Sequence, residues 1–160
     1  MMDYQITFAG PDDEEVLQAV LIETDMGIAG DITEHAVIKK DNEILGGGML
    51  AQTGTNRYHL LVFAVRQGDR GLGIGRILLN ELIKQPWKYC LNGEGSTAGD
   101  YKITTVAKGE SAKFYEKNGF AVCDFSQLDY PFDQQCDDCP DRSNCNPAAM
   151  MFMGCKTNDC

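Results

Sequence analysis

The stretch QGDRGLGIGRILL, residues 67–79, sets Gly71, Gly73 and Gly75 between Arg70 and Arg76 and leads directly into an apolar-periodic run. Glycine removes the Cβ that would hold a ligand away from the main chain, and the first amides of a following helix have no intrahelical partner. The stretch therefore suits an anion, above all a diphosphate. A P-loop would close on Gly-Lys-Ser/Thr, whereas Gly75 is followed by Arg76 and Ile77. A dinucleotide fingerprint starting at Gly71 wants a small residue where Arg76 stands, which leaves a nucleotide-binding domain as the weakest reading. A second group capable of chemistry is the run Cys136, Cys139, Cys145 and Cys155, spaced C-x2-C-x5-C-x9-C. Four thiolates in that pattern could complete a tetrahedral zinc site or hold an iron–sulfur cluster. Free thiols and a disulfide, Cys136 to Cys139 or longer, are the alternatives; Cys160 can stand in for Cys155, and Cys90 and Cys123 read as small packed hydrophobes.

These groups need a frame to position them. Tyr4, Ile6 and Phe8 alternate with polar residues, as a half-buried strand does, and stop at Gly10-Pro11. Asp12 reads as the N-cap of a helix whose apolar face is Val16, Leu17, Val20 and Leu21. Residues 24–34 carry no clear period. HAVIKK and EILGGGMLAQT flank Asp41-Asn42 as a hairpin would, and Gly46 to Gly48 imply a bulge or the close approach of another group. YHLLVFAV (58–65) reads as a central strand covered on both faces. The glycine loop follows it, then a helix with a stripe of Ile74, Ile77, Leu78, Leu82 and Ile83 that ends before Pro86. YKITTVA is a further strand and ESAKFYEK a short helix stopped by Asn118-Gly119. FAVCDF and AAMMFMGC are the last two strands, separated by a polar, cysteine-bearing excursion over about 126–147. The sum is an α/β domain of mixed order.

The 160 residues suffice for one hydrophobic core and are read as a single domain, 1–160. Lys and Arg number 14 against 24 Asp and Glu, a formal charge of -10, which argues against nucleic acid or an anionic membrane surface as partner. The same field attracts a cationic amine and also keeps a protein soluble. MMDYQITFAG has no basic cap or apolar run of signal length, and no membrane-spanning stretch occurs, so the expectation is a cytoplasmic protein.

The spacing Val65-x-x-x-x-Arg70-Gly71-x-Gly73-Ile74-Gly75 resembles the coenzyme A loop of the GNAT family of N-acetyltransferases, R/Q-x-x-G-x-G/A. FYEKNGF, Phe114 to Phe120, resembles that family's penultimate helix and the strand after it. The resemblance spans roughly residues 3–155. It implies a GNAT-like acyl-CoA N-acyltransferase fold, a mixed central sheet of about seven strands flanked by about four helices.

By the same resemblance the amides of Arg70, Gly71, Leu72, Gly73, Ile74 and Gly75 hold the pyrophosphate, with Arg70 or Arg76 adding charge. Phe63, Ala64 and Val65 splay from the neighbouring strand to pair with the pantetheine arm, and the Val65 N–H points at the thioester carbonyl. Tyr115 becomes the general acid for the leaving thiolate. For the base, the central strand offers only Tyr58 and His59, which makes His59 the leading candidate, with Glu34, His35 and Asp25 behind it. Three places depart from the family pattern, which prefers Asn at Lys108, Ala at Ser111 and Pro at Gln67. The implied activity moves an acetyl group from acetyl-CoA to a primary amine on a small metabolite, a peptide or a protein. A non-catalytic acyl-CoA-binding or metal-sensing module on the same fold is the competing reading, and a homodimer is compatible with either.

Overall fold

Period-2 and period-3.6 apolar spacing become strands and helices in the expected order. The computed structural model describes residues 4–23, 31–66, 73–90, 99–108, 111–129, 132–134 and 146–155. Along the chain run β1 (Gln5–Phe8), α1 (Glu14–Ile22), β2 (Ala36–Lys40), β3 (Glu43–Gly54), β4 (Arg57–Val65), α2 (Ile74–Lys84), β5 (Asp100–Ala107), α3 (Ala112–Lys117), β6 (Ala121–Cys123) and β7 (Ala148–Cys155), with short 3-10 turns between. The seven strands form one sheet in the order β1-β2-β3-β4-β5-β7-β6. Its neighbours are antiparallel except β4 and β5, which run parallel. This is the mixed, helix-flanked α/β sheet expected from the sequence. Asp41 (φ 52°) and Asn42 (φ 66°) turn the β2–β3 hairpin through two consecutive left-handed residues, the geometry that matches strand twist.

Two local expectations shift. Pro11–Asp13 form a 3-10 turn, so Asp13 rather than Asp12 leads into α1; its carboxylate accepts the Gly10 N–H at 2.8 Å and pairs with Lys39 Nζ at 3.1 Å. Val16 and Ile77 are exposed instead of buried, while Leu79 joins the buried stripe of α2. Each displaced residue lies one step of about 100° before the inner row, on the solvent side of its helix.

The sheet has a core on each face. Leu17, Val20 and Leu21 of α1 pack with Val37, Ile44, Met49, Val62 and Ala64 on one side. On the other, α2 brings Ile74, Leu78, Leu79, Leu82 and Ile83 against Tyr58, Leu60 and Ile103. The Tyr101 hydroxyl donates to the Ile83 carbonyl at 2.6 Å, giving the end of α2 one of the partners its last carbonyls lack. β4 contributes to both cores, and a bulge changes which of its residues face each side. Its pairing with β3 steps from Leu50↔Leu60 to Met49↔Val62, so Leu61 is an extra residue. Tyr58 and Leu60 before it, and Phe63 and Val65 after it, therefore share the α2 face.

The glycines of β3 answer both sequence expectations. A bulge at Leu45 shifts the β2 pairing from Ile38↔Gly46 to Lys39↔Ile44. A Cβ on Gly46 would stand 2.7 Å from the Ala64 carbonyl oxygen, which is backbone and cannot swing aside. Gly46→Ala is expected to cost about 1–3 kcal/mol of stability, read by denaturant unfolding, because it pushes the end of β4 out of register. Burial alone would raise the Asp13 pKa, but the Gly10 amide and Lys39 outweigh it and hold the carboxyl below its ordinary range. Since the folded pKa is the lower one, the stabilisation exists at neutral pH and is lost as pH falls through that value. Asp13→Ala should cost about 1 kcal/mol near pH 7, with the difference from wild type closing in acid.

Candidate functional site

The parallel pairing of β4 with β5 runs from Arg57↔Lys102 to Leu60↔Thr105 and stops. Each strand keeps its outer partner further, β4 with β3 to Gly46↔Val65 and β5 with β7 to Ala107↔Ala148. The two strands therefore part at the middle of the sheet, directly where the Leu61 bulge bends β4. The Arg66 N–H donates to the Leu45 carbonyl at 2.8 Å. Backbone direction alternates along a strand, so Arg66 and Ala64 turn their polar groups to β3, and Phe63 and Val65 turn theirs into the opening. The expected splay at Phe63, Ala64 and Val65 is present, with Ala64 facing the other way.

Tyr115 lies on the α2 side of this opening. α3 ends where the sequence indicates, with Gly119 at φ 100° and the Tyr115 carbonyl accepting the N–H of Asn118 and of Phe120, both at 3.0 Å. The Tyr115 ring is 6.2 Å from that of Phe63, 5.4 Å from Phe114 and 5.3 Å from Phe120 between centroids. Burial pushes the phenol pKa well above its ordinary value, and a hydrogen bond with Thr105 offsets part of the rise. Thr105 in turn donates to the Leu60 carbonyl at 2.9 Å. The last β4–β5 pair and the tyrosine hydroxyl thus meet at the point of divergence.

The first turn of α2 closes on the same place. Gly73, its N-cap, has φ 82°, which glycine adopts without strain. A Cβ on Gly75 would lie 3.3 Å from Val65 Cγ2 and 3.4 Å from Phe114 Cζ, so the bare backbone of α2 comes close to the end of β4. The Ile74 side chain is buried in the core and only its main chain is left for a ligand. Arg76 is exposed and lines a cleft of about 450 Å³ with Asn80, Phe114, Lys117 and Asn118, so two cations flank the helix start. Arg70, Gly71 and Leu72 lie outside the described residues.

His59 takes the opposite face of the sheet, one residue before the last β4–β5 pair, and is 1% exposed. Its Nδ1 is 2.8 Å from Thr104 Oγ1, and its ring stacks on Phe132 at 3.9 Å with 8° between planes. Phe132 belongs to the β6–β7 connection, which Asp129 fastens to the sheet by accepting from Thr53 Oγ1 at 2.6 Å and from Arg57 Nη1 at 3.4 Å. His35 is fully buried, its Nδ1 3.0 Å from the Asp31 carbonyl, and the Glu34 carboxylate accepts the Asp31 N–H. Both adjoin β2, which β3 separates from β4, so neither joins Tyr115 and His59. Asp25 lies outside the described residues.

The cysteine expectation needs correction. Cys155 is disulfide-bonded, and a sulfur in a disulfide has no thiolate charge to give a metal. Cys136, Cys139 and Cys145 lie outside the described residues, among which no cluster of three or more His, Cys, Asp or Glu could hold a metal ion. Cys90 and Cys123 are free thiols; burial pushes the Cys90 thiol up to about 12, so it is an unreactive packed residue as expected.

Sequence reading missed Thr104, Thr105 and Phe132. The threonines left a signal, two adjacent hydroxyls between Ile103 and Val106, and each binds a β4 carbonyl, Tyr58 at 3.4 Å and Leu60 at 2.9 Å. Phe132 left none, since its place depends on a long connection folding back.

Comparisons with known proteins converge on one family. Among solved structures, N-acetylglutamate synthase from Neisseria gonorrhoeae, complexed with coenzyme A and N-acetyl-glutamate, superposes with a TM-score of 0.75 at 14% identity, over 96% of this chain and 35% of that one. Ard1 from Thermoplasma volcanium gives 0.63 at 14% identity over 97% and 99% of the two chains. Arabidopsis thaliana Naa50, in complex with the bisubstrate analogue CoA-Ac-MVNAL, gives 0.57 at 15% over 94% and 97%. The chain thus spans about a third of the synthase and nearly all of the other two. No curated protein shows a significant sequence match. At these identities the structures establish the fold. Residues 31–122, more than half of the 160, match the acetyltransferase (GNAT) domain, and the chain belongs to that family.

Proposed function

We propose that the protein is an acetyl-CoA-dependent N-acetyltransferase that acts by direct attack of a primary amine on the thioester. The observation that carries this reading is the opening between β4 and β5 beyond Leu60↔Thr105, with the Phe63 and Val65 backbones turned into it and Tyr115 at its point. A pantetheine arm laid there completes the interrupted ladder, and its diphosphate reaches the free amides at the start of α2. Arg70 to Gly75, with Arg76, supply the remaining contacts, and the cleft of Arg76 and Lys117 offers charge for the nucleotide end. Coenzyme A in the N. gonorrhoeae complex supports the same ligand class.

The chemistry divides between the two faces. Attack of the amine nitrogen on the carbonyl carbon builds negative charge on the oxygen, which the Val65 N–H stabilises. As the C–S bond breaks, its electron pair goes to sulfur and Tyr115 delivers a proton there, giving the free thiol. Burial keeps the phenol protonated across the neutral range, so the acid is always loaded. On the other face His59 accepts the proton the amine must lose. The His59 Nδ1 is hydrogen-bonded with the Thr104 hydroxyl at 2.8 Å, and in the tautomer that carries its proton on Nδ1 the basic lone pair belongs to Nε2. Phe132 covers this ring, and the base therefore works through movement of that cover or a short water link.

The reading is tested by release of CoA thiol from acetyl-CoA with a panel of amines. L-glutamate and the peptide MVNAL follow from the relatives' complexes, and spermidine and lysine follow from the net charge of -10. Turnover of one amine, with Tyr115→Phe lowering kcat about 100-fold while coenzyme A still raises the thermal midpoint, is the expected result. Coenzyme A binding without turnover of any amine would assign the non-catalytic module instead. A second expectation concerns pH. His59→Gln should lower kcat at pH 7 by about 100-fold, and the deficit should shrink toward about pH 10, where the amine loses its proton unaided. A deficit independent of pH would remove His59 from the role of base.

A further inference from the structure

Register sets Arg57 beside Lys102 and His59 beside Thr104, and alternation along a strand puts all four on the face opposite Tyr58 and Leu60. Arg57 and His59 are two residues apart, about 7 Å along β4. A chain of net charge -10 thus keeps two cations on neighbouring strands next to the imidazole. It also places a carboxylate of its own there. Asp129 accepts from Thr53 Oγ1 at 2.6 Å and from Arg57 Nη1 at 3.4 Å, while Lys102 Nζ donates to the Gln127 carbonyl at 3.4 Å. Thr53 is the extra residue of a bulge in β3, between Gln52↔Tyr58 and Gly54↔Arg57, and such a residue is re-aimed relative to the regular ladder. The Phe132 N–H donates to the Asp129 carbonyl at 2.8 Å. One compact turn therefore carries both the carboxylate on Arg57 and the ring that lies 3.9 Å from the imidazole with 8° between planes.

We propose that Arg57 and Thr53 form a carboxylate subsite for the acceptor, so that the amine acetylated here also bears a carboxylate, as an α-amino acid does, and Asp129 stands in for it in the free protein; this rests on the N-acetyltransferase reading above. The Asp129 contact is open to exchange. The Arg57 side chain is 52% exposed and that of Asp129 25%, and an ion pair so placed holds weakly. An incoming carboxylate offers Arg57 and Thr53 the same charge-assisted bonds, with its amine directed along β4 toward His59. Because the turn carries both contacts, release of Asp129 also frees Phe132 from the imidazole that the acceptor needs. An amine with no carboxylate has nothing to exchange at Arg57 and leaves the turn in place. The acid thus has the differential affinity for the open arrangement that the plain amine lacks. The exchange makes and breaks no covalent bond, and the acceptor carboxylate leaves unchanged on the acetylated product.

The test pairs each common amino acid with the amine that lacks its α-carboxyl group, L-lysine beside cadaverine for example, and reads CoA thiol release from acetyl-CoA. At least one acid should exceed its paired amine about 10- to 100-fold in kcat/KM, the value of a charge-assisted pair. Arg57→Gln should bring that ratio to within about threefold of one, chiefly by raising KM for the acid, and Arg57→Lys should fall between the two. Asp129→Asn should lower KM for the acid about three- to tenfold, since the internal competitor has lost its charge. A general structural defect would depress acid and amine alike and leave the ratio standing. Should Arg57→Gln fail to fold, Arg57→Lys and Thr53→Val make the same comparison, each narrowing the ratio. If wild type turns over no amine, the N-acetyltransferase reading fails and this inference with it. If amines are turned over but no acid is preferred to its pair, if the preference survives Arg57→Gln, or if Asp129→Asn leaves KM for the acid unchanged or higher, this inference alone is overturned.

Discussion

One interruption in a hydrogen-bond ladder organises the molecule. Four residue pairs join β4 to β5, and at Leu60↔Thr105 the pairing ceases because the extra residue Leu61 bends β4 away. A broken ladder in a protein interior leaves backbone donors and acceptors that must find other partners. Here the outer neighbours β3 and β7 hold both strands in place, so the opening persists as a preformed slot instead of collapsing. The bulge also shifts the parity of β4, which lets Phe63 and Val65 stand under α2 and α3 beside Tyr58 and Leu60. The slot, the start of α2 and the Tyr115 ring come together through that single inserted residue.

The same divergence separates the proposed acid from the proposed base. Tyr115 lies with the α2 core and His59 with the opposite face, so a thioester carbonyl at the point of the opening could be reached from both sides of the sheet at once. Adjacent threonines on β5 serve the two sides, Thr104 next to the imidazole and Thr105 next to the phenol. Two hydroxyls one residue apart can do this only on a strand, where successive side chains point in opposite directions. A helix would send them 100° apart on one surface. The separation also keeps the buried phenol, whose pKa burial raises, on the face away from the imidazole.

On the His59 face the β6–β7 connection acts as a cover. Asp129 fixes it to Thr53 and Arg57 at the far end of the β3–β4 hairpin, and Phe132 then lies flat on the imidazole. Lys102 adds a contact to the Gln127 carbonyl. A carboxylate held by two partners on neighbouring strands is a better anchor than one exposed pair, whose net contribution is small.

The start of α2 at Gly73 to Gly75, the FYEKNGF segment and the order of strands and helices were legible in the sequence because each is encoded by residues close together in the chain. Alternation marks β1 and β5, an Asn-Gly stop ends α3, and a turn pair closes the β2–β3 hairpin. Even so, Val16 and Ile77 were assigned to the wrong side of their helices, since periodicity gives a stripe but the neighbouring element decides its width. What lay beyond reach was contact between distant residues: Phe132 on His59, the side of the sheet each candidate acid or base occupies, and the choice of a disulfide over a thiolate for Cys155. The sequence by itself determined the family and the kinds of element, because local hydrogen bonding and apolar period are properties of short segments. Only the tertiary structure decided which groups meet, because one bulge at Leu61 reverses the facing of everything after it on β4, and no local pattern in YHLLVFAV records that the reversal occurs.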